Sequence, residues 1–316
     1  MGSPDDPINA RRVAAYPTPF RLKRGLKMPG RPKLVQRIAA FARDRKWHRQ
    51  KWLRSLGIPL LKAIAERDIT ITHHWVPGRR VRLNAFRHKG YWFHGNRREP
   101  GVMASLAKLV GPGDTVIDVG GHIGYVSLYL AHLVGPTGRV FVFEPSPDNL
   151  RYLTVNTKAV APIEIVRKAV SDSNGHAQYF TENLTGQNST LIENYANFED
   201  TRRSARSGES YRPLDVETTT LDAFVAERGI RPDFIKIDIE GAEALAVRGM
   251  GAVLANHHPR LMVEVTRDEE DVMGILRRAG YAACDARLRP LPEGASTGPN
   301  RFFLPDEAQP DRRASG

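Results

Sequence analysis

The sequence predicts an α/β protein in which a mostly parallel sheet carries helices on both faces. From Glu99 onward, continuous apolar segments alternate with segments of helical periodicity. Strands that are apolar throughout are typical of a parallel sheet covered on both sides by helices. Charge gives a second observation, since residues 1–100 hold 24 Lys and Arg against 6 Asp and Glu, whereas the remaining residues hold 23 against 29. The basic N-terminal part is therefore distinct from the α/β domain.

Four segments are expected along the chain. Apolar residues recur at helical spacing between residues 33 and 56, and Gly57 and Pro59 end this basic helix. Short strands with a turn at Pro77-Gly78 follow, between residues 69 and 95. The segments are a flexible basic tail at 1–32, an N-terminal helical arm with short strands at 33–98, the α/β domain at 99–305 and a C-terminal tail at 306–316.

Six apolar segments of the α/β domain predict strands. Each has the length of a strand and is bounded by turn or polar residues, which separates it from the helical segments. The segments are TVIDVG at 115–120, RVFVFEP at 139–145, IEIVRKAVSD at 163–172, DFIKIDIE at 233–240, RLMVEVT at 260–266 and RFFLP at 301–305.

The segments between these strands predict helices. Residues 122–134 place apolar side chains on one face, and Ser146-Pro147 provides an N-cap followed by a first-turn proline. Further helices are expected from about Gly241 and at 268–280. A polar insertion at 183–213 interrupts the alternation, and an insertion of this length is typical of a binding loop or lid.

The chain is expected to be soluble and cytoplasmic. Its one cysteine, Cys284, excludes an internal disulfide framework and a cysteine-based zinc site. No apolar segment approaches the ~20 residues of a membrane span, and the N-terminus lacks the apolar core of a secretory signal. The basic arm could still associate with an anionic membrane surface, so membrane association stays an open alternative.

A nucleoside-binding site is predicted from residues 116–145, VIDVGGHIGYVSLYLAHLVGPTGRVFVFEP. In an open parallel sheet, ligands bind beyond the carboxyl ends of the strands. Gly120 and Gly121 follow the first strand and let a ligand approach the main chain. Glu144 ends the next strand, 24 residues after Gly120, where a carboxylate can accept hydrogen bonds from both hydroxyls of a ribose. Sites for NAD, FAD and S-adenosylmethionine share this plan.

Acidic residues near the glycine loop favour S-adenosylmethionine over a dinucleotide. Asp118 belongs to the glycine motif, and Asp238 and Glu240 end the strand in KIDIEGAE at 236–243. Carboxylates suit an ammonium and a sulfonium, whereas they repel a pyrophosphate. The simpler alternative is that Asp118 only caps a helix.

The motifs, in their order, resemble those of the FkbM-type S-adenosylmethionine-dependent methyltransferases. The resemblance covers about residues 99–304, and KIDIEGAE is its most specific part. It implies a Rossmann-like class I methyltransferase fold and methyl transfer to a hydroxyl oxygen, commonly on a sugar or natural-product scaffold. The matching segments are VIDVGGHIGYVSLYLA, VFVFEPSPDNLRYLTVN, VRKAVSD, TTTLDAF and FIKIDIEGAEALAVRGM.

The resemblance also implies which residues bind the cofactor S-adenosyl-L-methionine. His122 departs from the family, which often has Asn there, although both residue types adopt left-handed backbone geometry. We expect His122 to contact the cofactor, with a place at the reaction centre as the alternative. The implied set is Asp118, Gly120 and Gly124 in the cofactor loop, Glu144 on the ribose, and Ala169 and Asp172 beside the adenine.

A base is required beside the acceptor, because an aliphatic hydroxyl is a weak nucleophile. Asp238 is predicted to be this base, assisted by Glu240, since their strand should lie next to the cofactor strand. Glu243 and Glu264 add acids to the same rim, with a helix-start position and a buried ion pair as their respective structural alternatives. Four acids could also hold Mg²⁺, but their spacing identifies no metal site and none is predicted.

The acceptor is expected to be a small molecule or a glycan. The four tryptophans could form an aromatic wall for a sugar ring or pack the arm against the domain. Asn188-Ser189-Thr190, in the polar insertion, is a further candidate contact. A homo-oligomer contact through the basic arm stays open. The tryptophans are Trp47, Trp52, Trp75 and Trp92.

Two rival functions remain at this point. One is a NAD-dependent oxidoreductase, which the acidic glycine loop disfavours. The other is a nucleic-acid-binding protein with a methyltransferase-like platform, suggested by the basic N-terminal part. Nucleic acid is not the expected partner, because the sequence has no helix-turn-helix, RNA-binding aromatic motif or zinc finger.

Overall fold

The computed structural model describes residues 66–182, 191, 211–265, 267–292 and 298–306. Several predictions fall outside this part of the chain and stay predictions. They are the tail at 1–32, the basic helix at 33–56 with Trp47 and Trp52, the Asn188-Ser189-Thr190 motif and the tail beyond Asp306.

Twelve strands are present in the described residues. A two-stranded antiparallel hairpin comes first, a seven-stranded sheet forms the centre, and a three-stranded sheet lies in the middle of the sequence. The strands are β1 (Asp68–Thr72), β2 (Arg80–Asn84), β3 (Thr115–Val119), β4 (Arg139–Phe143), β5 (Ile163–Val166), β6 (Ala169–Val170), β7 (Gly175–Glu182), β8 (Tyr211–Thr219), β9 (Phe234–Ile237), β10 (Arg260–Glu264), β11 (Tyr281–Cys284) and β12 (Asn300–Pro305).

Eight α-helices connect these strands within the described ranges. Four of them begin at or within one residue of a proline, a threonine cap or an acidic first turn, as the sequence signals predict. The helices are α1 (Lys89–His94), α2 (Pro100–Leu109), α3 (Tyr125–Val134), α4 (Pro147–Thr157), α5 (Leu221–Arg228), α6 (Glu243–Arg248), α7 (Gly251–His257) and α8 (Glu269–Arg278).

The central sheet has the strand order β11-β12-β10-β9-β3-β4-β5. The five strands from β10 to β5 are parallel, and β12 runs antiparallel to both of its neighbours. The chain moves outward from β3 to β5 and then returns to place β9 on the other side of β3. This reversal makes the carboxyl ends of β3 and β9 the topological switch point, where open α/β sheets bind ligands.

The hydrophobic core has one cluster on each face of the central sheet. One cluster packs Ile117 and Ile235 against helices α5 to α8, and the other packs Val116 and Val142 against α2, α3 and α4. Alternate residues of β3 therefore face opposite helical layers, as the apolar strand pattern predicts. The predicted fold class, a Rossmann-like, mostly parallel sheet with helices on both faces, is confirmed.

The β1–β2 hairpin packs on this domain through its own apolar cluster. Val81 and Leu83 pack with Ile123 and Tyr152. The Asn156 side chain donates hydrogen bonds to the carbonyl oxygens of Arg82 and Ile123 at 2.9 Å and 2.8 Å. The hairpin turn lies at Pro77-Gly78, as predicted. This packing places the segment after β2 beside the ends of β3 and β4.

Three predicted elements differ from the structure. Residues 163–172 were predicted as one strand, which is wrong, because β5 ends at Val166 and β6 belongs to the three-stranded sheet β6-β8-β7. Residues 89–94, predicted as strand, form α1, in which Trp92 donates its indole N–H to the Ala85 carbonyl oxygen at 2.8 Å. The helix predicted from residue 122 begins at Tyr125, since residues 120–124 form the glycine loop.

No described helix has the length and apolar character that crossing a bilayer requires.

Candidate active site

A cleft opens at the carboxyl ends of β3, β4, β9 and β10. Its empty volume is about 1070 Å³ when the open mouth is included. Ala169, at the start of β6, marks one end of the cleft, and Asp238, after β9, marks the other. Six of the nine predicted site residues line it: Gly120, His122, Glu144, Ala169, Asp238 and Glu240.

The glycine loop forms the floor of the cleft because side chains do not fit there. Gly120 has φ +88°, and a Cβ atom on it would lie 2.0 Å from the carbonyl oxygen of Asp238. A Cβ on Gly121 would lie 2.1 Å from Cγ1 of Val142. The loop therefore packs directly on the end of β9 and on β4, and its bare backbone faces the cleft.

The three remaining predicted cofactor residues do not line the cleft. Gly124 has φ +84° and directly precedes α3, where a Cβ would lie 2.8 Å from Cδ1 of Leu153 on α4, so it allows close packing against α4. Asp172 is exposed on the segment after β6. Asp118 is fully buried and accepts a 2.6 Å hydrogen bond from Ser127. Their contact with a cofactor stays a prediction.

A buried lysine joins the glycine loop to the end of β9. Lys236 Nζ lies 3.1 Å from Asp118 Oδ1, 3.3 Å from Asp238 Oδ2 and 3.4 Å from the Gly120 carbonyl oxygen. Burial alone would lower the pKa of Lys236, but the two carboxylates outweigh burial and raise it. The ammonium is therefore charged and pairs with both acids. Asp118 serves this ion pair and not a helix cap.

Glu144 is held in the cleft wall by two backbone N–H groups and one side chain. Oε2 accepts the His122 N–H at 2.8 Å, and Oε1 accepts the Ser146 N–H at 2.9 Å. The Asn149 side chain is a third donor to this carboxylate, which belongs to a residue that lines the cleft. Burial raises the pKa of Glu144 to about 7, although the backbone donors oppose this shift.

Asp238 and Glu264 form a carboxyl–carboxylate pair at the other end of the cleft. The positive charges of Lys236 and Arg98 hold the pKa of Asp238 below its usual range against the effect of burial. The Asp238 charge and burial raise the pKa of Glu264, which bonds Asp238 through its side chain. Asp238 is therefore the ionised member and Glu264 the protonated one.

Glu240 and Glu243 have different positions although both follow β9. Glu240 lines the cleft with a left-handed backbone, φ +53°. Asp238, Glu240 and Glu264 can each place one oxygen within 4.8 Å of the others, a spacing that a divalent cation could bridge. Lys236 and Arg98 already supply positive charge there. Glu243 is fully buried, and its Oε1 accepts the Gly241 N–H at 2.9 Å, so it stabilises the turn after β9.

His122 joins the glycine loop to α1. Its φ of +51° confirms the left-handed geometry expected at this position. Nδ1 lies 3.0 Å from the Tyr91 hydroxyl, and the two rings stack at 5.9 Å between centroids. Burial lowers the pKa of His122 well below its usual value, so the imidazole is neutral.

Several cleft residues were not predicted from the sequence. Lys236 had a signal, because it is the one charged residue in the buried strand FIKI. Tyr91 and Arg98 had none, since they reach the cleft only through the packing of the hairpin and α1. Trp75 and Trp92 do not line the cleft and pack in the hairpin cluster.

The geometry separates two chemical functions along one cleft. One end offers bare backbone and the Glu144 carboxylate, a combination that suits a nucleoside. The other end offers the ionised Asp238 carboxylate, which can accept a proton from a bound hydroxyl.

The Methyltransferase FkbM domain matches residues 118–283, which include both ends of the cleft and more than half of the 316 residues. The chain belongs to the FkbM methyltransferase domain family. The family predicted from the motifs is thus confirmed.

Curated relatives of this FkbM domain protein carry methyltransferase names. The hexuronic acid methyltransferase AglP of Haloferax volcanii is 26% identical over 187 residues, which are 58% of this chain and 70% of the relative. The 2-O-methyltransferase NoeI of Sinorhizobium fredii is 26% identical over 155 residues, 46% of this chain and 60% of the relative. A protein-L-isoaspartate O-methyltransferase of Aeropyrum pernix is 38% identical over 86 residues, 25% of this chain and 33% of the relative. The match to two of these three therefore spans less than two thirds of the relative's length.

Among solved structures, a methyltransferase FkbM from Methylobacillus flagellatus is similar at 14% identity. The alignment covers 67% of this chain and 60% of that chain, with a TM-score of 0.39. The fold described here rests on the strand order itself.

Proposed function

We propose that the protein is an S-adenosyl-L-methionine-dependent methyltransferase that acts on a hydroxyl oxygen of a sugar or natural-product acceptor. The observation that carries this proposal is one cleft with a ribose-type carboxylate, Glu144, at one end and an ionised acid, Asp238, at the other. Family membership supports the reaction class. The relatives named for a hexuronic acid and for 2-O-methylation support a carbohydrate acceptor.

The residues present fit the proposed cofactor. The Cβ positions of Gly120 and Gly121 are blocked by the Asp238 carbonyl oxygen and by Val142, so only bare backbone can stand at this side of the cleft, and Glu144 places a carboxylate beside it. Ala169 lines the adenine end. Bound there, S-adenosylmethionine would supply an electrophilic methyl group on a good leaving group. The cofactor would be bound and oriented by Glu144, Gly120 and the backbone of His122, which take no part in bond making.

Asp238 is the proposed proton acceptor, and Glu240 assists by orienting the acceptor hydroxyl. A carboxylate with a lowered pKa is a weak base towards a free alcohol. As the new carbon–oxygen bond forms, however, the hydroxyl becomes a protonated ether, which is a far stronger acid than any carboxylic acid. Asp238 can therefore take the proton late in the transfer, while Lys236 keeps it ionised until then.

A nucleoside titration tests the proposed function against the oxidoreductase. S-adenosylhomocysteine is expected to bind the purified protein and raise its melting temperature, whereas NADH is not, because the proposed cofactor is the methyl donor and not a dinucleotide. Stabilisation by NADH and not by S-adenosylhomocysteine would favour the oxidoreductase. Salt-sensitive binding of RNA without methyl incorporation would favour the nucleic-acid-binding alternative.

Cofactor affinity is expected to depend on pH through Glu144. Its pKa of about 7 means that the free protein binds a proton there as the pH falls below neutrality. Ribose hydroxyls donate to the ionised carboxylate, so binding favours that form. Affinity for S-adenosylhomocysteine should rise about tenfold between about pH 6 and about pH 8.

Calorimetric titrations at several pH values measure this effect. In a Glu144→Gln variant the affinity should be weaker and nearly constant over the same range. An equally steep pH dependence in the variant would assign the titration to another group.

A further inference from the structure

Arg98 is a cleft residue whose hydrogen-bonding capacity is unused within the described structure. It lines the cleft, and 33% of its side chain is exposed. Its ion-pair contact is a long one, 3.9 Å from Nε to Glu99 Oε2, and among the described residues its guanidinium makes no hydrogen bond. A guanidinium has five donors, and desolvating them without acceptors is costly.

The guanidinium also packs against an aromatic ring. Its central carbon lies 4.6 Å from the centre of the Tyr91 ring, a cation–π arrangement. Tyr91 is itself fixed, since it is buried and its hydroxyl lies 3.0 Å from Nδ1 of His122. A planar, preorganised guanidinium is the group that binds a carboxylate through two parallel hydrogen bonds.

Arg98 lies at the Asp238 end of the cleft. The Asp238 charge acts on its guanidinium, and its own charge acts on Asp238. The other cations of the cleft have partners, because Lys236 bonds two carboxylates and Lys168 pairs with Glu217. An incoming anion therefore finds one available cation, Arg98, among the described cleft residues.

We propose that Arg98 is the receptor for a carboxylate that enters the Asp238 end of the cleft. The proposal rests on the proposed function, which supplies two sources for that carboxylate. One is the amino-acid moiety of the methyl donor, and the other is an acidic acceptor such as a hexuronic acid. Both present the same planar anion to the same guanidinium.

Calorimetry with two nucleosides tests the first source. S-adenosylhomocysteine carries the carboxylate, and 5′-methylthioadenosine lacks the amino-acid moiety. An Arg98→Met variant should bind S-adenosylhomocysteine about 10- to 100-fold more weakly and 5′-methylthioadenosine as the wild type does. Arg98→Lys should lose affinity for S-adenosylhomocysteine to an intermediate extent, because lysine keeps the charge but cannot form two parallel hydrogen bonds. Arg97→Met, an exposed neighbour outside the cleft, is the matched control and should change neither affinity.

Saturation-transfer NMR tests the second source on protein loaded with S-adenosylhomocysteine. Methyl glucuronoside should bind in preference to methyl glucoside, and Arg98→Met should abolish that preference. A loss of affinity confined to S-adenosylhomocysteine, or a loss of preference for the glucuronoside, supports the proposal and identifies the source of the carboxylate. If Arg98→Met melts like the wild type and leaves both nucleosides and both glycosides unaffected, Arg98 is not a carboxylate receptor. If the wild-type protein binds neither nucleoside, the proposed function fails, and this proposal fails with it.

Discussion

The Asp238→Asn variant is expected to lose methyl transfer by about a thousandfold, within the range that a positioned base contributes. The amide keeps the size of the side chain but cannot accept the hydroxyl proton. Cofactor binding should stay close to that of the wild type, because the proposed ribose and adenine contacts, Glu144 and Ala169, follow β4 and β5 and not β9. Incorporation of a labelled methyl group and calorimetry with S-adenosylhomocysteine measure the two effects separately.

The Glu240→Gln variant is the matched control for this loss. It makes the same carboxylate-to-amide change in the same cluster, at a residue that orients and does not accept the proton, so its loss of rate should be smaller. Melting curves without ligand should accompany both variants, since the amide at position 238 also removes an ion pair from Lys236. An Asp238→Asn enzyme that turns over at the wild-type rate would remove Asp238 from the role of base.

The Gly120→Ala variant is expected to lose both cofactor binding and stability. Its Cβ would lie 2.0 Å from the Asp238 carbonyl oxygen, so the loop and the end of β9 must move apart. That movement separates Lys236 from at least one of its three partners. The free energy of unfolding should fall by about 4 kcal/mol or more, the range of the most disruptive substitutions.

A Gly229→Ala variant separates close packing from backbone strain. Gly229 has φ +57°, and a Cβ there would meet nothing within 4 Å. The free energy of unfolding of this control should therefore fall by only about 1–2 kcal/mol, the cost of an alanine in left-handed geometry. The control should bind S-adenosylhomocysteine as the wild type does. Urea unfolding measures both variants. Equal losses of stability in the two would mean that the contact between Gly120 and β9 has no energetic importance.

The sequence predicts the central strands well because their signal is local. The apolar segments of β3, β4 and β9 are bounded by glycine or acidic residues, and their faces contact separate helical layers. The split between β5 and β6 could not be predicted, since Arg167-Lys168 interrupts the segment without a glycine or proline. For α1, the aromatic run Tyr91 to Phe93 favours a strand by propensity, and tertiary packing overrides it.

The residues of the candidate site likewise divide into those that a local motif predicts and those that only the fold brings to the cleft. Gly120 and Glu144 are recognisable because their chemistry depends on a short motif and on the strand ends that flank it. Arg98 and Tyr91 come from a segment before the sheet, and only the packing of Val81 and Leu83 against α3 and α4 brings them to the cleft. Such long-range placement leaves no trace in local spacing. Lys236 lies between these cases, since a lysine in a buried strand signals a partner but does not identify it.

The most direct test of the account is a crystal structure of the protein with S-adenosylhomocysteine. We expect both ribose hydroxyls to donate to Glu144, the adenine to lie beside Ala169 and the sulfur to point towards Asp238. A ligand bound elsewhere, or bound in this cleft with its sulfur at the Ala169 end, would contradict it.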